Sequence, residues 1–165
     1  MKRALFSGIL AVLVTAGVMA QAKPDFSGTW TLDAEKSVMP QGRGGGMGGG
    51  RQGGMGAAPL TITIDGQKMS IARTMGQSGT VVTTVYMLDG TESKNSMMGR
   101  GGGEPVQVSY KSKWDGAKLV TTITNPMGTQ TETRWIAADG TMVVETVRTN
   151  NQGEQVTTKL VYKKN

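Results

Sequence analysis

From residue 60 to the C-terminus, apolar and polar residues alternate, and Thr and Val dominate the sequence. Successive side chains of a strand point to opposite faces, so a period of two reads as a strand buried on one side. Val106, Val108, Tyr110 and Trp114 share one face of such a strand, while Gln107, Ser109, Lys111 and Lys113 share the other. Leu60, Ile62 and Ile64 alternate with Thr61, Thr63 and Asp65 in the same way. No helical spacing is sustained anywhere in this region. The pattern predicts ten strands, at 27–33, 60–65, 68–73, 80–88, 91–96, 106–114, 117–124, 129–136, 141–149 and 154–163.

Asp-Gly pairs at 65–66, 89–90, 115–116 and 139–140 each lie between two of these runs, a strong short-range signal for a tight hairpin. The other connections are 34–59, 74–79, 97–105, Asn125-Pro126-Met127-Gly128 and Asn150-Asn151-Gln152-Gly153. Connections of an up-and-down meander alternate between its ends, so the four Asp-Gly turns gather at one end and all the others at the opposite end. A long meander leaves two edge strands exposed, and curling until its first and last strands meet removes them. The expected fold class is all-β, a single antiparallel up-and-down β-barrel of about ten strands.

The N-terminus is built differently. Lys2 and Arg3 precede an uncharged apolar run from Ala4 to Met19, and Ala20-Gln21-Ala22 places small residues where a signal peptidase reads. The run is short for a hydrocarbon core of ~30 Å, which takes roughly 20 apolar residues to cross. Residues 1–22 are therefore expected to be a cleaved signal peptide, making the protein secreted or periplasmic with no stable membrane span after cleavage. Residues 23–165 would form the barrel domain, with Gly-, Met- and Arg-rich insertions at 40–58 and 97–105. Ten Gly lie within 42–56, and 99–103 reads Gly-Arg-Gly-Gly-Gly. Such stretches bury too little apolar surface to offset the entropy of ordering Gly, so disorder is expected there.

Composition removes more hypotheses than it adds. With neither Cys nor His, the chain has no disulfide framework, no thiol or imidazole catalysis and no imidazole-ligated zinc or haem. The formal charge of +6 falls to +4 once Lys2 and Arg3 leave, a mild bias that tolerates anions without marking a nucleic-acid binder. Three Arg among glycines without aromatic residues read as solvated linker, and Gly44-Gly45-Gly46 has no Gly-Lys-Ser/Thr ending of a phosphate loop. Ser and Thr have no His partner and the carboxylates fall mostly in turns or on outward positions. No enzyme activity, cofactor or nucleic-acid partner is expected.

Phe26-Ser27-Gly28-Thr29-Trp30 resembles the Gly-x-Trp opening of the calycins, the lipocalins and fatty-acid-binding proteins, and uncharacterised exported bacterial proteins with the same opening. The similarity continues through Pro59–Gly66, Lys113-Trp114-Asp115-Gly116 and Leu160-Val161-Tyr162-Lys163, in the order of the ten-stranded fatty-acid-binding barrel, and covers most of 26–165. The resemblance implies structural roles for Gly28 and Trp30, with Trp30 buried under the Asp-Gly end. The sequence departs from the family between the first two strands, where the family's two-helix lid is replaced by the Gly-rich stretch. Of the family's carboxylate-holding Arg-x-Tyr pair, Leu160 stands at the Arg position and Tyr162 at the Tyr.

A barrel of ten strands is wide enough for an internal site at its mouth. The candidate ligand-binding residues are Tyr110, Leu160 and Tyr162, with Arg73 or Arg134 as partner of an anion. A register slip of one residue would turn either Arg outward. The expected partner is a small apolar or amphipathic ligand, and the alternative is an envelope-associated scaffold whose barrel holds none. A third reading gathers the thioethers of Met47, Met55, Met97 and Met98 around Cu(I).

Overall fold

Val, Thr and Ile favour the pleated backbone, and the computed structural model, which describes residues 22–38, 58–75, 79–97, 103–150 and 152–165, is built from strands. In chain order these are β1 Gly28–Leu32, β2 Leu60–Asp65, β3 Lys68–Met75, β4 Thr80–Met87, β5 Glu92–Met97, β6 Val106–Asp115, β7 Lys118–Asn125, β8 Gly128–Ile136, β9 Met142–Thr149 and β10 Gln155–Lys164. Their order in the sheet is β4-β3-β2-β1-β10-β9-β8-β7-β6-β5, with every neighbouring pair antiparallel. The first and last strands therefore meet, as the expected barrel requires. The signal-peptide assignment (1–22) and the disorder expected at 42–56 and 99–103 fall outside the described residues, except for Ala22 and Gly103.

The turn chemistry explains the register. Asp65 pairs with Lys68 and Asp115 with Lys118, so each hairpin has two loop residues, the first of them Gly66 or Gly116 at φ +57°. A two-residue hairpin needs positive φ at its first central position to match the strand twist, and Gly takes it without steric cost.

Three connections differ from the expected pattern. Ala137–Thr141 is a wider turn closed by Ala137 N–H donating to the Thr141 carbonyl at 2.8 Å. At the opposite end, Asn125 pairs with Gly128 around Pro126-Met127, so one connection there is also tight. The third is Asp89-Gly90, which joins strands that form no ladder, so it is not a hairpin turn. β4 and β5 are the two ends of the sheet, and side chains bridge the seam. The Val85 N–H donates to Asn95 Oδ1 at 2.9 Å, and the Val85 carbonyl accepts from Asn95 Nδ2 at 2.9 Å and Ser93 Oγ at 2.6 Å. Asn95 presents its amide as a peptide group would, and the barrel closes without strand pairing at that point.

The core fills the Asp-Gly end. Trp30 is buried, its indole N–H donates to the Phe26 carbonyl at 2.8 Å, and the Phe26 ring stacks on Trp114 at 5.9 Å, next to the Asp115-Gly116 turn. Lys164 Nζ lies 5.4 Å from the Trp30 ring centroid. Gly28 has φ +122°, and a Cβ there would come within 2.7 Å of Lys164 Cε. The opening Gly-x-Trp thus makes a floor: glycine for the backbone bend, tryptophan for the plug.

Candidate functional site

Residues directly opposite in an antiparallel pair share a face, so the ladders decide which side chains point inward. Leu119, Arg134, Val144 and Leu160 form one inner row across β7 to β10. The row above, one step toward the loop-bearing end, is Ser112, Thr121, Glu132, Thr146 and Thr158, across five successive strands. Above that lie Tyr110, Ile123, Gln130, Arg148 and Val156. Arg73 sits between Leu60 and Val82 in its ladders, and Tyr162 between Leu32 and Met142. All five ligand-binding candidates, Tyr110, Tyr162, Leu160, Arg134 and Arg73, therefore face the interior, and neither Arg has slipped outward.

The interior divides by depth. Toward the Asp-Gly end the inner face is sealed: Ile62, Met69, Leu119, Met142, Arg134 and Tyr162 are each at most 2 % exposed. Toward the loop-bearing end, Arg73, Thr84, Gln130, Glu132, Thr146 and Thr158 keep intermediate exposure although they face inward. An inward side chain stays accessible only where solvent-reachable space lies over it. Val108, Tyr110, Ser112, Thr121 and Ile123 on β6 and β7 are buried at the same heights, so the reachable space lies against β3, β4 and β8 to β10, above a packed floor.

Arg134 stands at the boundary. Its Nη2 donates to Glu132 Oε1 at 2.7 Å, and the guanidinium lies over the Tyr86 ring with Cζ 5.6 Å from the centroid. Tyr86 in turn meets Tyr110 edge to face at 5.0 Å. Arg134 Nε and Nη1 are buried and have no hydrogen-bond partner among the described residues. Burial opposes the guanidinium charge, but the Glu132 carboxylate, Tyr86 and the Glu132 hydrogen bond together outweigh it and hold the group cationic. Burial also raises the Tyr86, Tyr110 and Tyr162 phenols, with Glu132 contributing in each case, so all three stay protonated donors at neutral pH. The Arg73 and Arg134 guanidinium charges both act on the Tyr162 phenol and oppose the rise caused by burial. Arg73 thus acts as a cation on Tyr162 from β3, a different strand from that of Leu160.

Sequence reasoning passed over Glu132, Tyr86 and Phe26. β8 reads Gly-Thr-Gln-Thr-Glu-Thr-Arg-Trp-Ile, polar on both faces, so alternation alone could not say which face was inside. That was itself a signal, because a barrel strand polar on both faces must bring polar groups into the interior. Of the proposed thioether set, Met97 is 37 % exposed and its sulfur accepts from the Tyr110 hydroxyl at 3.6 Å. Met47, Met55 and Met98 lie outside the described residues.

The topology has counterparts in solved structures. The chain has the fatty-acid-binding barrel fold. The "REP1-NXSQ fatty acid transporter" superposes with a TM-score of 0.54 at 15 % identity, covering 84 % of this chain and 95 % of that one. Zebrafish ileal bile acid-binding protein with cholic acid gives 0.55 at 18 % identity, covering 85 % and 98 %. The fluorescent protein UnaG gives 0.56 at 20 % identity, covering 85 % and 97 %. No family model and no curated protein matches by sequence. Within this fatty-acid-binding-type barrel, the described residues contain no group of three or more Asp or Glu placed to hold a metal ion.

Proposed function

We propose that this is an exported small-molecule-binding protein, without catalytic activity of its own, that takes an acidic ligand into the barrel through its loop-bearing end. The observation that carries the reading is Arg134. A buried guanidinium with two unmet donor nitrogens costs stability, and such groups persist where something outside the fold satisfies them. Arg73 at the same cluster and the solvent-reachable space above Glu132 support it, as does the binding of fatty acids or bile acid by neighbours of the same fold. The charged segment at Lys2 and Arg3 and the apolar run after it support export.

Native mass spectrometry of protein purified from its source tests the proposal. A non-covalent adduct is expected, lost in Arg134→Met, on a chain beginning at Lys23. A clean mass in every preparation, with no displacement of a fluorescent acidic probe, would favour a scaffold that binds nothing.

A further inference from the structure

The chamber of this barrel is polar where an alkyl chain would have to lie. Five consecutive strands, β6 to β10, each place a polar side chain at one level of the inner face: Ser112, Thr121, Glu132, Thr146 and Thr158. Ser112 and Thr121 satisfy each other at 2.9 Å, and Glu132 is held by Arg134. Thr146 and Thr158, half-buried, have no side-chain partner among the described residues, and neither does Gln130 one level higher. Arg148 shares the level of Gln130 at the mouth. Ile62, Met69, Leu119 and Met142 belong to the buried core of the floor, while Tyr110, Ile123 and Val156 stand beside Gln130 and Arg148 one level above the belt.

Resting on the binding reading above, we infer that the ligand is a small polyhydroxylated acid, a sugar acid in chemical class, and not a long-chain fatty acid. An alkyl chain against this belt would strip water from the hydroxyls of Thr146 and Thr158, the Gln130 amide and the Glu132 carboxylate and return no hydrogen bond to them, which is costly for each polar group. A polyol meets the same groups with donors and acceptors of its own. Among the described inward residues of the strands, Arg73, Arg134 and Arg148 against the single acid Glu132 leave the inner face cationic, which selects the acid over the neutral sugar. Arg134, held by Glu132 just beneath the belt, adds its positive charge below the position a carboxylate would take.

Titration calorimetry of the purified protein with glucuronate, galacturonate, gluconate, glucose and hexadecanoate tests this. At least one sugar acid should bind saturably, with glucose at least tenfold weaker and hexadecanoate giving no saturable heat. Thr146→Val and Thr158→Val, each nearly isosteric, should weaken the sugar acid severalfold, and Thr131→Val on the outer face should not change it. The double variant Thr146→Leu/Thr158→Leu should begin to take up hexadecanoate. Hexadecanoate binding as well as or better than every sugar acid overturns the inference and leaves a binding barrel intact. Silence from all five compounds at millimolar concentration overturns this inference and counts against the binding proposal as well.

Discussion

Arg134 offers a test in which stability and function pull in opposite directions. Replacing it with Met keeps an unbranched side chain of similar reach and removes the buried charge. Glu132 then loses its partner, and stranding one member of a buried ion pair costs about 3–5 kcal/mol. The Glu132 side chain is 14 % exposed and can keep some water, so the lower end of that range, about 3 kcal/mol, is expected for Arg134→Met. The double variant Arg134→Met/Glu132→Gln strands no charge. It also removes the two unmet guanidinium nitrogens, each a liability of about 1–3 kcal/mol. It should therefore lie between wild-type stability and about 2 kcal/mol above it, while binding no acid. Urea unfolding followed by Trp fluorescence of wild type, both single variants and the double variant gives the coupling energy directly. A double variant less stable than Arg134→Met alone would refute the reasoning, because the guanidinium would then be holding the fold together.

Asn95→Ala should lower stability by about 1–3 kcal/mol and speed hydrogen exchange in β4 and β5 but not in β7 or β8, since it removes the amide that closes the seam; uniform exchange across the barrel would show that the seam is not its weakest line. Gly28→Ala should cost about 1–3 kcal/mol because its φ of +122° strains any side chain, and an unchanged unfolding midpoint in urea would contradict the bend. Acid should destabilise the fold: Asp139 is lowered to about 2 by Thr141 and Lys36, and Asp33, Asp89 and Asp25 are also lowered by hydrogen bonds. A depressed folded-state pKa contributes stability above the ordinary carboxylate range that is lost as pH falls toward the folded value, here from roughly pH 4 to 2. Asp139→Asn should flatten part of that loss in pH-dependent thermal melts, and an identical profile would remove Asp139 from the account.

Much of the architecture was legible because it is local. Alternation placed all ten strands within a few residues, and glycine after Asp65 and Asp115 marked hairpins whose loops need positive φ. The same signal misled at Asp89-Gly90, since a turn can be read from two residues but pairing depends on where the flanking strands are carried by the rest of the sheet. At the site, Arg73, Tyr110, Arg134, Leu160 and Tyr162 could be nominated by residue type. Glu132 could not, because Thr131 and Thr133 on the opposite face made β8 look polar throughout.

By itself, then, the order of apolar, polar and glycine residues determined a barrel of ten antiparallel strands without thiol or imidazole chemistry, because strand period, turn conformation and the absence of a side chain are properties of short segments, while the Gly-x-Trp floor was implied by the family resemblance. Only the tertiary structure decided that β4 and β5 meet through Asn95, that the lower half is packed shut, and that five polar side chains from five strands fall on one level beside a buried, half-satisfied Arg134. Those outcomes depend on register summed around a closed sheet, where a shift of one residue in any strand would turn its inward row to the outside.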